Sequence, residues 1–427
     1  MTENSYVRWF EDLNSDDVPS VGGKNASLGE MIAALKDEGV RIPDGFATTS
    51  EAYWAFVEAN ELEDKLRDRI EQFHQEEASL QEAGKAIRRM FRHGSFPDEI
   101  AEAIRKAYRK LSARYEVGEV DIAARSSATA EDLPEASFAG QQETFLNIRG
   151  EEALLKAVKR CFASLFTDRA IAYREENGFD HMGIALSAGV QQMARADLAG
   201  SGVMFSIDTE TGFPRSVLIN GAWGLGETVV QGMVDPDEYH VFKPLLDAPS
   251  LRPIVSKHLG GKNRKMVYGS GKSETKLVDT KKEERARFVL TDDEILQLAR
   301  WAAAIEAHYG QAMDMEWAKD GETDELFIVQ ARPETVQSQK EADTLKSYRL
   351  KETGEKLVGG LAIGDSISAG KVLRLESPDE IDRFEDGAVL VTGMTDPDWV
   401  PIMKKASAIV TDHGGRTSHA AIVSREM

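Results

Sequence analysis

The sequence predicts a mixed α/β protein. Charged amphipathic stretches from Glu51 through Tyr115 read as helices, and short β-like runs begin at Val120. An alternating hairpin pattern then leads to Arg332. A length of 427 residues corresponds to about three domains at roughly 150 residues each. Hydrophobic residues at 41% and charged residues at 29% suit a soluble enzyme with a large core.

Residues 25 to about 115 read mainly helical, with Ala33, Ala34 and Leu35 following a glycine-rich start. Beyond them, β-like runs at Val120–Ala124, Gln141–Ile148, Leu186–Met193, Ser216–Asn220 and Tyr239–Phe242 flank a helix-like Glu151–Glu176. Asp292–Tyr309 is another helix, started at Thr291. The hairpin comprises Ala312–Ala318 and Leu326–Arg332 around a turn with Asp320-Gly321. Gln337–Lys356 is polar and lacks an apolar period, so it reads as a linker or equally as a solvated surface helix; extended, about twenty residues span up to roughly 60 Å. Leu357 onward reads as a small α/β unit with apolar segments at Leu357–Ile363, Lys371–Leu375 and Ala388–Val391. A turn near Thr395–Asp398, a run Ala406–Val410 and a helix at His419 complete it. The expected division is 1–336, a linker 337–356, and 357–427.

Charge narrows the function. Lys plus Arg at 52 against Asp plus Glu at 73 gives −21, which argues against non-specific nucleic-acid binding and against an anionic membrane surface. Any nucleotide must be held by cations concentrated locally. Cys161 is the only cysteine, so an intrachain disulfide and a paired-cysteine metal site are excluded. The first residues show no basic segment followed by an apolar one, and no run approaches the ~18 apolar residues of a membrane span. The expected location is cytoplasmic.

Near the end the chain reads Thr411-Asp-His413-Gly-Gly415-Arg416-Thr417-Ser418-His419-Ala420. Thr417 and Ser418 are good helix caps, so His419 falls in the first turn of a helix. The partial positive charge there disfavours imidazolium and favours phosphate, which suits a neutral nucleophile with a phosphorylated product. In the hairpin, Asp314 and Glu316 share one face while Met313, Met315 and Trp317 share the other; Gln330 and Arg332 share a face of the partner strand. Carboxylates beside a guanidinium suit Mg²⁺ and a polyphosphate, and read equally, from spacing alone, as cross-strand ion pairs.

Gly22-Gly23-Lys24-Asn25 precedes a helix but is not a Walker motif, and by itself reads first as a surface lysine. Ala124-Arg125-Ser126-Ser127-Ala128-Thr129, continuing through Phe138-Ala139-Gly140 to Thr144, offers backbone N–H groups and a cation to a triphosphate, or is an ordinary Ser/Thr loop. Asn220-Gly221-Ala-Trp223-Gly224-Leu-Gly226-Glu227 has the wrong glycine order for a dinucleotide fingerprint. His413 reads first as a turn residue.

Gly414–Glu426, GGRTSHAAIVSRE, resembles the phosphohistidine signature of the phosphoenolpyruvate-utilising enzymes. Across essentially all 427 residues the chain is similar to the front portion of the pyruvate, water dikinases (phosphoenolpyruvate synthases). The resemblance implies an ATP-grasp-like nucleotide domain followed by a swivelling phosphohistidine domain. It implies formation of phosphoenolpyruvate from pyruvate, ATP and water in gluconeogenesis, with His419 as catalytic residue. It carries ATP contacts onto Lys24, Arg125, Gly140, Thr144, Gln192, Glu316, Gln330 and Arg332, and Mg²⁺ onto Asp314 and Glu316; Glu227 and His413 are weaker candidates. Thr417 matches a regulatory phosphorylation position, so a regulatory kinase/phosphorylase is an implied partner, beside a homodimer.

Members of that family continue into a barrel that binds pyruvate. The sequence therefore reads as the ATP half, with the apolar face of the His419 helix expected to lack its cover and transfer to His419 expected to be slow or absent. The alternatives are other ATP-dependent dikinases of the family or a non-catalytic ATP-binding fragment. Pyruvate phosphate dikinases have Met where Arg416 stands, and rifampicin phosphotransferases insert a domain where only a short linker lies here.

Overall fold

A computed structural model describes residues 5–129, 143–248, 250–269, 274–334, 352, 354–364, 366–415 and 418–426. Helix and sheet are mixed, as expected. The contacts divide the chain into two compact units. The first is Met1–Ala194 with Tyr268–Thr275 and Val329–Arg332; the second is Arg195–Val267 with Lys276–Ile328 and Pro333–Met427.

The first unit holds a five-stranded sheet of β1 (Val7–Trp9), β2 (Gly45–Thr48), β3 (Ile122–Ala128), β4 (Thr144–Ile148) and β5 (Leu186–Gln192), in the order β1-β2-β5-β3-β4. All neighbours are antiparallel. Among the described residues seven α-helices accompany it: α1 (Val18–Ala34), α2 (Ser50–Ala59), α3 (Glu63–His74), α4 (Leu80–His93), α5 (Asp98–Arg114), α6 (Glu151–Ser164) and α7 (Asp168–Asn177). The helix-like run Glu151–Glu176 is in fact two helices, because the Thr167 hydroxyl accepts from the Ala170 N–H (3.4 Å) and caps a new start.

The apolar face of α6 (Leu154, Val158, Cys161, Phe162) is buried with Phe56, Phe91 and Ile104 in one core cluster. Fully burying one such Phe or Leu contributes about 1.5–3 kcal/mol. All four residues of β2 are buried, so the strand has no alternation to betray it in the sequence.

The second unit is built on a sheet of β6 (Gly200–Phe205), β7 (Ser216–Trp223), β8 (Asp237–Phe242) and β9 (Ile254–His258). A separate ribbon pairs β10 (Arg264–Tyr268) with β11 (Thr275–Asp279). The large sheet continues through β12 (Met313–Lys319) to an edge strand β13 (Leu326–Pro333), in the order β13-β12-β6-β7-β8-β9. Short helices α8 (Glu227–Val230) and α9 (Lys282–Arg285) precede α10 (Asp292–Tyr309). The bounds of α10 match the sequence reading: Thr291 and Glu294 form a reciprocal capping box, and Gly310 ends the helix at φ 68°. The expected turn also forms, with Asp320 Oδ1 accepting from the N–H groups of Glu322 and Thr323 at 2.8 and 2.9 Å.

The C-terminal part of the second unit is a parallel sheet of β14 (Val372–Arg374), β15 (Val389–Thr392) and β16 (Ala408–Thr411), with α11 (Val400–Met403) and α12 (His419–Glu426). Its core is Leu375, Phe384, Leu390, Trp399, Ile402 and Met403, with Val423 of α12 packed against it. Val423 thus has cover that the sequence reading did not expect, and the neighbouring Ala421 is buried. Leu357–Ile363 also differs from expectation: it has no regular structure, and Leu357 and Val358 are 84% and 72% exposed. Gly359-Gly360 at its centre raises the entropic cost of ordering it as a strand. Of the expected linker, residues 337–351 and 353 lie outside the described residues. Among the described residues no helix is long and apolar enough to cross a membrane.

Candidate nucleotide and phosphohistidine sites

In the first unit, Lys24 is placed by a break in its own helix. Gly22 has φ 77° and ψ 163°, so regular helix starts after it. A side chain could not replace that hydrogen, because a Cβ would stand 2.6 Å from both the carbonyl carbon and oxygen of Ser127 on β3. The segment is then pinned by Asn25, whose buried amide donates to Val21 O and to Ser187 Oγ on β5, both at 2.9 Å. Gly189 of β5 is likewise required, as a Cβ there would meet Asn25 Oδ1 at 2.1 Å. Small residues at Ser127, Ser187 and Gly189 on two strands thus let the helical turn carrying Lys24 lie close against the sheet. That is the physical content of the Gly-Gly-Lys-Asn signal.

Arg125 is the centre of this unit's polar cluster. Its guanidinium donates to Val329 O (2.8 Å) and to Gln330 Oε1 (2.5 Å). The Ser27 hydroxyl, one turn beyond Lys24, donates to Ala331 O (2.9 Å). The first unit therefore gathers Lys24, Arg125, Gln330 and the chain leading to Arg332. Thr144 sits directly opposite Arg125 in the β3–β4 register, exposed and held there by Ser126, whose hydroxyl and N–H bracket the backbone of Glu143. Gln192 is at the far end of the same strands, opposite Ile122, three residues or roughly 10 Å along β3 from Arg125. Its amide donates to Met193 O. Cys161 is fully buried, and desolvation pushes its thiol well above the usual range, so it is not a nucleophile.

In the second unit β12 alternates as expected: Met313, Met315 and Trp317 are buried while Asp314 and Glu316 are half-buried on the other face. Two half-buried carboxylates two residues apart on one strand face are a donor set that fits Mg²⁺, which takes one or two protein carboxylates beside phosphate oxygens. The glycines of Asn220–Gly226 have structural reasons. Trp317 donates from Nε1 to Asn220 O (3.0 Å), and a Cβ on Gly221 would stand 2.9 Å from its ring. Gly224 (φ 89°) passes the Met266 carbonyl, which a Cβ would meet at 2.4 Å. Glu227 begins α8; burial raises its carboxyl above the usual range, and Gln231 donates to it at 3.2 Å.

His413 lies exposed in the turn after β16, its N–H donating to Gly393 O (3.1 Å), as its turn reading expected. Ser418 is the N-cap of α12, accepting from the Ala421 N–H (3.4 Å), and the backbone of His419 opens the helix. Both are as the capping argument predicts. Gly140, Arg416 and Thr417 lie outside the described residues.

One cluster had no sequence signal. His74, Glu175 and His181 converge in the first unit, with Glu175 Oε1 bonded to His74 Nε2 (2.7 Å) and His181 Nε2 (2.5 Å) across 101 residues of chain. Buried Arg174 donates from Nε to His181 Nδ1 (2.9 Å). A neutral His181 must then carry its proton on Nε2 and donate to Glu175, which removes the lone pair a metal would need. Burial, with Arg174 beside it, holds the His181 imidazole below its usual range, and burial brings Arg174 down to about 10. Burial also acts to raise Glu175, but its two imidazole partners outweigh this and lower it.

Residues 18–352 match the pyruvate phosphate dikinase AMP/ATP-binding domain, and residues 384–427 match the mobile domain of PEP-utilising enzymes. The chain is 53% identical over 433 residues to a phosphoenolpyruvate synthase of Aquifex aeolicus, covering 99% of this chain and 50% of the relative. It is 54% identical to that of Synechocystis, covering 100% and 53%, and 53% identical to that of Escherichia coli, covering 99% and 53%. The chain spans about half the length of the curated relatives it matches.

Proposed function

This chain belongs to the pyruvate phosphate dikinase AMP/ATP-binding domain family, and from that membership we propose that it binds Mg²⁺-ATP and passes a phosphoryl group to His419. Lys24, Arg125, Gly140, Thr144, Gln192, Gln330 and Arg332 are the proposed ATP contacts, with Glu316 shared between nucleotide and metal. Asp314 and Glu316 would hold Mg²⁺, which supplies charge neutralisation on the phosphate oxygens. The observation that carries the reading is Arg125 bonded to Val329 O and Gln330, because it brings together two motifs 204 residues apart in the sequence, the Arg125 segment and the strand that leads to Arg332.

In this reading His419, neutral in the first turn of α12, attacks the β-phosphorus of ATP and AMP leaves. Water removes the terminal phosphate from the pyrophosphorylated histidine, and phosphohistidine donates to pyruvate. The balance is ATP + pyruvate + water → AMP + phosphoenolpyruvate + phosphate, a reaction that serves gluconeogenesis. Lys24, Arg125 and Arg332 neutralise developing charge on the phosphates. Splitting the transfer through a covalent histidine replaces one difficult step by easier ones.

Calorimetric titration tests the nucleotide half. Mg²⁺-dependent ATP binding should weaken at least about tenfold in Arg332→Ala and in Glu316→Ala, the effect of losing one charged hydrogen bond of about 1.5–3 kcal/mol. Unchanged affinity in both variants would remove the hairpin from the site.

A further inference from the structure

We propose that Glu210 and Arg425 form a latch that holds α12 against the large sheet of its own unit, making both positioning residues for transfer to His419; this rests on the reading of His419 as acceptor. Arg425, in the last turn of α12, is ion-paired with Glu210, and their side chains are only 5% and 18% exposed. Glu210 is itself fixed. The Asp208 carboxylate accepts from the N–H groups of Glu210 (2.8 Å) and Thr211 (3.0 Å), in the turn after β6.

The other end of α12 is anchored independently. Gly414 donates to Asp235 Oδ1 at 3.2 Å, and Ser418 lies so close to Gly232 that a Cβ there would stand 2.7 Å from the serine Cβ. The Asp235–Pro236 platform is rigid for a reason in the core of the unit. Lys262 donates its backbone N–H to Asp235 O (3.0 Å) while its ammonium, fully buried, pairs with the buried Asp237 carboxylate.

An eight-residue helix is about 12 Å long, so attachments at both ends fix its axis and hence where its first residue stands. An ion pair with little exposure is directional, which an apolar contact in its place would not be. The pair also leaves a cost, because Arg425 Nε is buried with no hydrogen-bond partner among the described residues. An unsatisfied buried donor of this kind lowers the stability of the docked state.

The test uses Glu210→Gln, Arg425→Gln and the charge swap Glu210→Arg with Arg425→Glu. Hydrogen exchange of the 418–426 amides should accelerate about tenfold or more in each single variant, since each strands a buried partner. The swap should recover much of it, and ATP affinity should stay unchanged throughout. The rate of labelling of His419 from β-labelled ATP should fall in parallel. Unchanged exchange in Glu210→Gln, or no recovery in the swap, overturns the latch. Altered exchange with an unaltered labelling rate overturns the positioning role. No label in the unaltered chain, with exchange still responding, overturns the acceptor reading and leaves docking standing.

Discussion

Replacing Gly22 by alanine tests how the first unit presents Lys24. The backbone there, at φ 77° and ψ 163°, lies in a region open essentially to glycine, which costs any other residue about 1–3 kcal/mol. The added Cβ would also stand 2.3 Å from Ser127 Oγ and 2.6 Å from the Ser127 carbonyl atoms. The hydroxyl could rotate away, but the backbone of a central strand could not, so overpacking adds about 1–3 kcal/mol. Together the substitution should destabilise the first unit by about 2–6 kcal/mol. Gly39→Ala is the control: φ is 75° but a Cβ would meet nothing within 4 Å, so only the conformational cost of about 1–2 kcal/mol applies. Urea denaturation followed by far-ultraviolet circular dichroism measures both, and ATP titration should show lost affinity only in Gly22→Ala. The close packing of α1 on β3 would be refuted if the two variants lay within about 0.5 kcal/mol of each other.

Other outcomes follow from the same geometry. Arg125→Ala removes a cation and the bonds to Val329 O and Gln330, and should weaken ATP binding about 10- to 100-fold by calorimetry. Gln330→Ala, which leaves the guanidinium in place, should do less. The His181 imidazole is lowered below its ordinary 6.5, so the unfolded chain takes up a proton first; its stability contribution is complete above pH 6.5 and is lost as pH falls through the lowered value. Glu175, lowered below 4.5, adds a second loss below that pH. The melting temperature of the first unit should therefore fall stepwise on acidification, and a Glu175→Gln, His181→Gln double variant should show a flatter profile. At Thr417 a carboxylate should repel incoming phosphate and compete for the same helix start, so Thr417→Glu should reduce labelling of His419; near-normal labelling would remove that electrostatic argument.

Much of this was legible in the residues because its signals are local. Thr291 and Ser418 announced helix starts through capping chemistry, and the alternation from Met313 to Trp317 announced both a strand and its polar face. Strands β2 and β6 are buried along their whole length and offer no alternation, and unlike the equally buried β7, with its Val217-Leu218-Ile219 run, they carry few β-branched residues to mark them. The glycines at 221 and 224, whose order does not fit a dinucleotide fingerprint, make room for Trp317 and the Met266 carbonyl, and only three-dimensional proximity reveals that. The Glu175 bridge between His74 and His181, and the Glu210–Arg425 pair, join residues too distant in sequence for any spacing rule.

The most direct test of the account is the fate of the β-phosphate. The chain should be incubated with Mg²⁺ and ATP labelled at the β-phosphorus, then digested and sequenced by mass spectrometry. With Val423 of α12 packed on its domain core, the account predicts acid-labile, base-stable phosphate on His419, against the slow or absent transfer expected from the sequence, at up to one per chain, accompanied by AMP and absent in His419→Ala. Label on another residue, equal labelling of His419→Ala, or ADP in place of AMP would contradict it.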